Sequence, residues 1–445
     1  MAARTATGRP RIGVLLAAAA VLASTACSAG SLGSSGGTED GTVTLTFQFG
    51  NEPPASLIGQ ALADDFMAAN PDIRIETETR PGGTEGDNIV KTRLATGDMT
   101  DLFAYNSGSL FQAINPQQQL APLTDEPWVG SLEEQFRNSV TAGNGVYGAP
   151  FGSSFAGGVL YNRNVYQQLG LQVPTTWEQF MANNASIEAA GIDPVIQTYG
   201  TTWTSQLFVL ADYHNLTTEV PTFAEDYTAN KAKYATTPAA VQGFQHLQDV
   251  HDAGYLNEDF ASATFEDGLR QVAAGEGAHF PMLTVTVATM VENSPNAAQD
   301  VGFFALPGND AAENGITAWL AAGVYVPTTT AEDSAKFEAA KRFLAFIASP
   351  AGCESATRVA PPAGPYPVEG CTLPADVPQA VKDVQPYYDQ GASSPALEFV
   401  SPVKGPSLQQ ITVEVGSGIR SAADAAALYD QDVEKQAQQL GLPGW

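Results

Sequence analysis

Histidine, cysteine and basic side chains are scarce in this chain, and each shortage closes a class of chemistry. Only four histidines occur among 445 residues: His214, His246, His251 and His279. His246 and His251 stand five apart on a helix-patterned stretch, so they do not share a face as a zinc-binding i, i+4 pair does. No His-Glu-x-x-His motif is present, and solvated or structural roles are expected for all four. Gly152-Ser153-Ser154 and Gly416-Ser417-Gly418 both depart from the Gly-x-Ser-x-Gly nucleophile elbow. No phosphate-cradling glycine loop occurs, and nothing marks two of the 48 carboxylates as a glycosidase pair. The expectation is a protein with no catalytic residues, no metal and no cofactor.

Lysine and arginine number 20 against 48 aspartates and glutamates, a net charge of −28. An acidic surface of that size repels nucleic acid and anionic headgroups, so no nucleic-acid partner is expected. Long apolar runs are lacking as well, apart from residues 12–23, which are too few for a membrane span of about 20 residues. Arg4, Arg9 and Arg11 precede that run and small residues follow it up to Cys27, the layout of an export signal over residues 1–26. Without those three arginines the chain keeps 17 basic and 48 acidic residues, a net of −31.

Three cysteines remain to be placed. Ser24-Thr25-Ala26-Cys27 resembles a bacterial lipobox, with Ser24 where leucine is usual. Cys27 would then carry a lipid, residues 27–41 would form a Ser/Gly-rich tether, and membrane association would come from the lipid. Plain secretion with a free Cys27 is the alternative. In an exported chain Cys353 and Cys371 are expected to pair, closing a loop with Pro361, Pro362, Pro365 and Pro367. Loop entropy makes such a staple worth roughly 3 kcal/mol.

The length suggests two or three domains. Residues 42–49 alternate, with Val43, Leu45, Phe47 and Phe49 on one face, and predict a strand. A helix over 56–69, a strand over 73–79, a helix carrying Ile89, Val90 and Leu94, and a short strand over 102–104 follow. This β-α-β-α-β order implies a parallel sheet with helices on its faces. Ligands of such sheets bind outside the carboxyl ends of the strands, which directs attention to loops 50–54 and 105–109. Further on, 241–251 and 265–274 read as helices, 301–304 as a strand, 319–326 as one apolar strand and 336–349 as an amphipathic helix. Glu266 and Arg270 are expected to form a solvated i, i+4 ion pair.

Residues 147–180 contain Val159-Leu160-Tyr161-Asn162 and, about fifteen residues later, Thr176-Trp177-Glu178. This arrangement resembles the signature of the family 1 extracellular solute-binding proteins, the ligand-capturing components of ABC importers; Gly152 and Tyr166 depart from it. The turn 97–101, the segment 187–195 with the loop 199–203, the strand 275–280 and Leu306-Pro307-Gly308 are similar to the same family in the same order.

The resemblance implies an α/β, two-lobed periplasmic-binding-protein-like fold with a ligand cleft between the lobes. Residues 42–150 and 281–326 are expected in the N-terminal lobe, and 151–280 and 327–445 in the C-terminal lobe. Residues 150–154 are the expected first hinge, with Trp177 packed behind the cleft. The implied function is capture of a carbohydrate, an oligo- or disaccharide, and delivery to ABC permease subunits by a lipid-anchored protein.

Sugars need aromatic platforms together with amides and carboxylates. Candidate ligand residues are therefore Asn51 and Glu52 after the first strand, Tyr105 and Asn106 after the third, and Trp203 and Trp319. Ser153, Ser154 and Thr284 join them by position in the family pattern, as does the segment 402–407. Core packing is the plain alternative for each aromatic. A polyol, a glycerophosphodiester or another small polar solute is the competing ligand class, and a secreted carbohydrate-active enzyme the competing function.

Overall fold

The computed structural model describes residues 42–445. The export signal, Cys27 and the tether lie outside the described residues.

The N-terminal alternation forms β1 (Val43–Gly50), whose Leu45, Phe47 and Phe49 are buried. Helix α1 (Ala55–Ala69) lays Ile58, Leu62 and Phe66 against the sheet. Strand β2 (Ile73–Arg80) then pairs in parallel with β1, from Val43 opposite Ile73 to Gly50 opposite Arg80. Helix α2 (Gly83–Thr96) stops at Gly97, whose φ of 76° suits a residue without a Cβ. Strand β3 (Leu102–Tyr105) pairs on the other flank of β1. After several short helical turns and a small two-stranded hairpin, β4 (Gly148–Phe151) completes the visit to this sheet.

The chain then enters a second sheet with β5 (Phe155–Asn162). Next come α3 (Trp177–Ala189), β6 (Asp193–Val195), α4 (Pro238–Asp252) and α5 (Phe265–Ala274). Strands β7 (Gly277–Leu283), β8 (Val301–Phe304) and β9 (Ile316–Trp319) all pair antiparallel with β5. Strand β10 (Ala322–Tyr325) returns to the first sheet between β3 and β4. Helices α6 (Ser334–Ile347) and α7 (Pro350–Val359) stay with that lobe. Finally β11 (Ser393–Pro395) lines up beside β9, and α8 (Leu397–Val400), α9 (Leu408–Gly416) and α10 (Ala422–Gln439) follow. The sheet orders are β2-β1-β3-β10-β4 and β11-β9-β5-β7-β6, with β8 also on β5.

Each sheet has its own core. In the first lobe, Phe343 of α6 packs between Phe47 and Phe66, with ring centroids 5.4 and 5.0 Å away. A fully buried side chain of this size contributes about 1.5–3 kcal/mol, so α6 is anchored to this lobe. In the second lobe, Trp177, Phe180, Phe244 and Tyr429 share one apolar cluster, while Phe280, Met282 and Val301 share another.

These pairings correct the expected lobe boundaries. Residues 281–319 belong with the second sheet, because β7, β8 and β9 hydrogen-bond to β5. Helices α6 and α7 belong with the first, through Ala340, Phe343, Leu344 and Ala356. The cause lies in residues 319–326, which are not one strand: β9 ends at Trp319, β10 begins at Ala322, and the two pair in different sheets. An uninterrupted apolar run carries no local sign of such a division, since the partners that decide it are distant in sequence. The expected Glu266–Arg270 pair is corrected too: Arg270 Nη1 lies 2.6 Å from Glu276 Oε2.

Cys353 and Cys371 are joined by a disulfide with their Cα atoms 6.1 Å apart. The bond ties α7 to a loop that delivers Tyr366 and Val368 to the first core.

Candidate ligand-binding site

The strands of each lobe present one edge to the other lobe. In the first sheet Gly50, Arg80, Tyr105 and Phe151 end their strands at the edge where Ala322 begins β10; Tyr105 lies opposite Gly323 and Phe151 opposite Ala322. In the second, Phe155 begins β5 where Leu283 and Trp319 end β7 and β9, with Trp319 opposite Phe155. Crossings at 152–154 and 320–321 join the two edges directly. Gly152 has a φ of 85°, which a residue with a side chain adopts only under strain.

The first crossing is laced to the segment that follows α7. Ser153 Oγ accepts from the Ala363 N–H at 3.1 Å, and the Ser154 N–H donates to the Pro365 carbonyl at 2.9 Å. Thr284 Oγ1 accepts from the Ala156 N–H at 3.0 Å and donates to the Ala363 carbonyl at 2.7 Å. Ser154 and Thr284 are only 3% and 0% exposed. Both stand inside the hinge: two backbone groups take the Thr284 hydroxyl, and the Pro365 carbonyl takes the Ser154 N–H. Ser153 remains half-buried with its oxygen engaged.

At the first-lobe edge Asn51, Glu52 and Asn106 are exposed. The Asn51 N–H donates to the Arg80 carbonyl at 2.8 Å, and the Asn106 carbonyl accepts from Tyr325 Oη at 3.0 Å. None of their three side chains hydrogen-bonds to another described residue. Ser107 Oγ donates to the Ala321 carbonyl at 2.8 Å, fixing this loop to the second crossing.

Tyr105 is different. It is 1% exposed, and burial beside the Asp87 carboxylate holds its hydroxyl well above the usual tyrosine range. All four residues of β3 are buried, so Tyr105 continues the core, which is the plain alternative to its expected ligand role. Arg80 was missed by sequence reasoning. Its Nη2 donates to the Ala104 carbonyl at 2.8 Å, its guanidinium lies 5.7 Å from the Tyr105 ring centre, and burial lowers its pKa. It pins the end of β3, and its only sequence signal was a cation at the end of an alternating strand.

At the second-lobe edge Trp319 is 6% exposed and donates from Nε1 to Glu398 Oε1 at 2.9 Å. Glu398 Oε2 accepts from Lys404 Nζ at 3.1 Å. Phe155 is half-buried and stacks on Trp319, with centroids 6.0 Å apart and planes 11° apart. Trp203 is half-buried beside Phe265, and the neighbouring Thr202 Oγ1 donates to Gln409 Oε1 at 3.1 Å. The lobes also touch next to the second crossing: Ser109 Oγ donates to the Glu398 carbonyl, and Gln135 Nε2 to the Ser393 carbonyl at 3.0 Å.

Residues 51–352 match the sequence model of the bacterial extracellular solute-binding proteins. The chain belongs to this family. Among relatives, a multiple sugar-binding protein of Streptococcus mutans is 24% identical over 311 residues, covering 67% of this chain and 70% of its own. The melibiose/raffinose/stachyose-binding protein MelE of Bacillus subtilis is 23% identical over 339 residues, covering 74% and 76%. The open conformation of the putative binding protein MsmE from Bacillus subtilis has a similar fold, with a TM-score of 0.74 at 18% identity, covering 91% of this chain and all of that one.

Elsewhere two histidines of the solute-binding protein, His246 and His279, are packed in its interior. His246 stacks on Trp177 with centroids 3.8 Å apart, 3.7 Å from an Asp212 oxygen. His279 is enclosed, bonded to Tyr166 Oη at 2.7 Å and Asn184 Oδ1 at 2.9 Å. Among the described residues no group of three or more His, Cys, Asp or Glu side chains could hold a metal ion. No described helix is long and apolar enough to cross a membrane. Besides Arg80, the residues of this solute-binding protein that sequence reasoning missed at the edges are Phe155 and Glu398. Phe155 sits in a run of small residues and Glu398 four residues before the segment that had been singled out, so neither carried a motif.

Proposed function

We propose that this solute-binding protein captures a neutral carbohydrate, an oligo- or disaccharide, outside the membrane and delivers it to the permease of an ABC importer. The observation that carries the reading is the pairing of the two edges. One offers free amide and carboxylate groups on Asn51, Glu52 and Asn106; the other offers half-buried aromatic rings on Phe155 and Trp203. Sugars present hydroxyls around an apolar ring face and need both kinds of partner. The sugars in the names of the two relatives support the same class. Lys404 is matched by Glu398, which disfavours a glycerophosphodiester at that edge. The mechanism is hinge closure about 152–154 and 320–321, driven by the ligand's greater affinity for the closed state.

A thermal-shift panel tests this reading with melibiose, raffinose, stachyose, simpler sugars, polyols and glycerophosphodiesters. A sugar at about one hundred times its Kd stabilises the native state by about 2.7 kcal/mol. A shift with phosphodiesters or polyols and none with any sugar would sink the carbohydrate assignment and leave the fold untouched.

We infer further that Cys27 carries the lipid that holds the protein at the membrane. Its motif Ser24-Thr25-Ala26-Cys27 and the Ser/Gly-rich stretch after it support this. Cys27→Ala is expected to release the protein into the medium, whereas full retention at the membrane contradicts the anchor.

A further inference from the structure

Phe155 and Trp319 form an aromatic pair that belongs to neither lobe's core. Neither side chain is part of the apolar clusters around the two sheets. Phe155 opens β5 and Trp319 closes β9, opposite each other in register, so the pair stands where both crossings enter the second sheet. Trp319 is buried behind a Phe155 that is only half-buried.

The indole is held from several directions. Phe155 stacks on it with planes 11° apart. Gly157 leaves room for it, since a Cβ there would stand 2.5 Å from Trp319 Cζ3. Its N–H is taken by Glu398, whose other oxygen is held by Lys404. The Glu398 carbonyl accepts from Ser109 of the first lobe, on the loop that also carries Asn106.

We propose that Phe155 is the platform on which the apolar face of the sugar stacks, and that Glu398 is a positioning residue that fixes this platform through Trp319. The inference rests on the carbohydrate reading above. A ring fixed before the ligand arrives costs no ordering on binding, and α8 registers that ring against the first-lobe edge. Removing the acceptor leaves a desolvated indole N–H without a partner, so the indole and the ring stacked on it lose their defined plane.

Titration calorimetry with the sugar that gives the largest thermal shift tests this, on wild type and four variants. Phe155→Leu keeps apolar bulk but removes the ring, and affinity is expected to fall on the order of tenfold. Phe155→Tyr keeps the ring and should stay within about threefold of wild type. Glu398→Ala should weaken binding by several-fold, whereas Glu398→Gln, whose amide oxygen still accepts from the indole, should restore it although the charge facing Lys404 is gone. The ligand-induced change in tryptophan fluorescence should shrink in Glu398→Ala and return in Glu398→Gln, a readout that stability alone does not move. Wild-type affinity in Phe155→Leu, or equal loss in both Glu398 variants, overturns the proposal while the carbohydrate reading stands. A wild type that binds no sugar overturns both.

Discussion

Thr284→Val is expected to destabilise the protein by about 1–3 kcal/mol while barely changing side-chain shape. The hydroxyl of Thr284 satisfies two backbone groups at once, the Ala156 N–H at the start of β5 and the Ala363 carbonyl in the segment after α7. Thr284 itself is 0% exposed, and so is Ala156. Valine fills the same space but offers neither a donor nor an acceptor, and an unmet buried backbone group costs about 1–3 kcal/mol. Thr284→Ser keeps the hydroxyl and should lose about 1 kcal/mol, the worth of one methyl group. Urea unfolding of the three proteins, compared through their midpoints at constant slope, measures the difference. A valine variant as stable as wild type but with weakened sugar binding would return Thr284 to the ligand-contact role its sequence position suggested.

The buried histidines are expected to cost the protein stability as pH falls below about 6.5. Burial pushes both His246 and His279 down to about 3, and lowers His214 as well. An unfolded histidine titrates near 6.5, so between about pH 6.5 and 3 the unfolded chain binds protons that the native one refuses. Each such histidine removes about 1.4 kcal/mol per pH unit of acidification, and its full contribution is present only above about pH 6.5. Asp212 acts with the opposite sign. Burial pushes its carboxyl up to about 8, so the native state keeps a proton that the unfolded chain releases above about pH 4, and stability declines as pH rises from about 4 to about 8.

Between about pH 4 and 6.5, His246, His279 and His214 favour loss of stability on acidification, and Asp212 opposes them together with Asp193, Asp383 and Asp430, whose carboxyls burial also raises. His279→Gln removes one of these sites. Its absolute stability will drop, because the bonds to Tyr166 and Asn184 change, so the slope is the readout. Urea midpoints at several values between pH 4.5 and 6.5 should show a slope shallower by about 1.4 kcal/mol per unit. An unchanged slope means that His279 is charged or solvated in the native state.

Local sequence patterns accounted for the parts of this protein that local physics governs. The alternation of residues 42–49 became β1, the β-α-β-α-β order became the parallel trio β2-β1-β3, and 150–154 coincides with the first passage between sheets. Trp177 was read as a packing residue and is one, stacked on His246. The burial of other nominated residues was not legible in this way. Tyr105, Ser154 and Thr284 were nominated from their place in the chain, but burial depends on what arrives from residues 80, 363 and 365.

By itself, then, the sequence determined the α/β class, the acidic surface, the lack of a metal-binding or nucleophile motif, and the family signature around Tyr161-Asn162 and Thr176-Trp177-Glu178. The class and the surface follow from composition and from periodicities of two and 3.6 residues, which act over a few neighbours; the signature is legible only as a resemblance to a known family. Only the tertiary structure decided which lobe holds β7–β9 and α6–α7, where the run 319–326 breaks, and how Phe155, Trp319, Glu398 and Lys404 meet. Hydrogen-bond partners across a sheet and acceptors for a buried indole come from segments tens to hundreds of residues away, and no spacing along the chain records them.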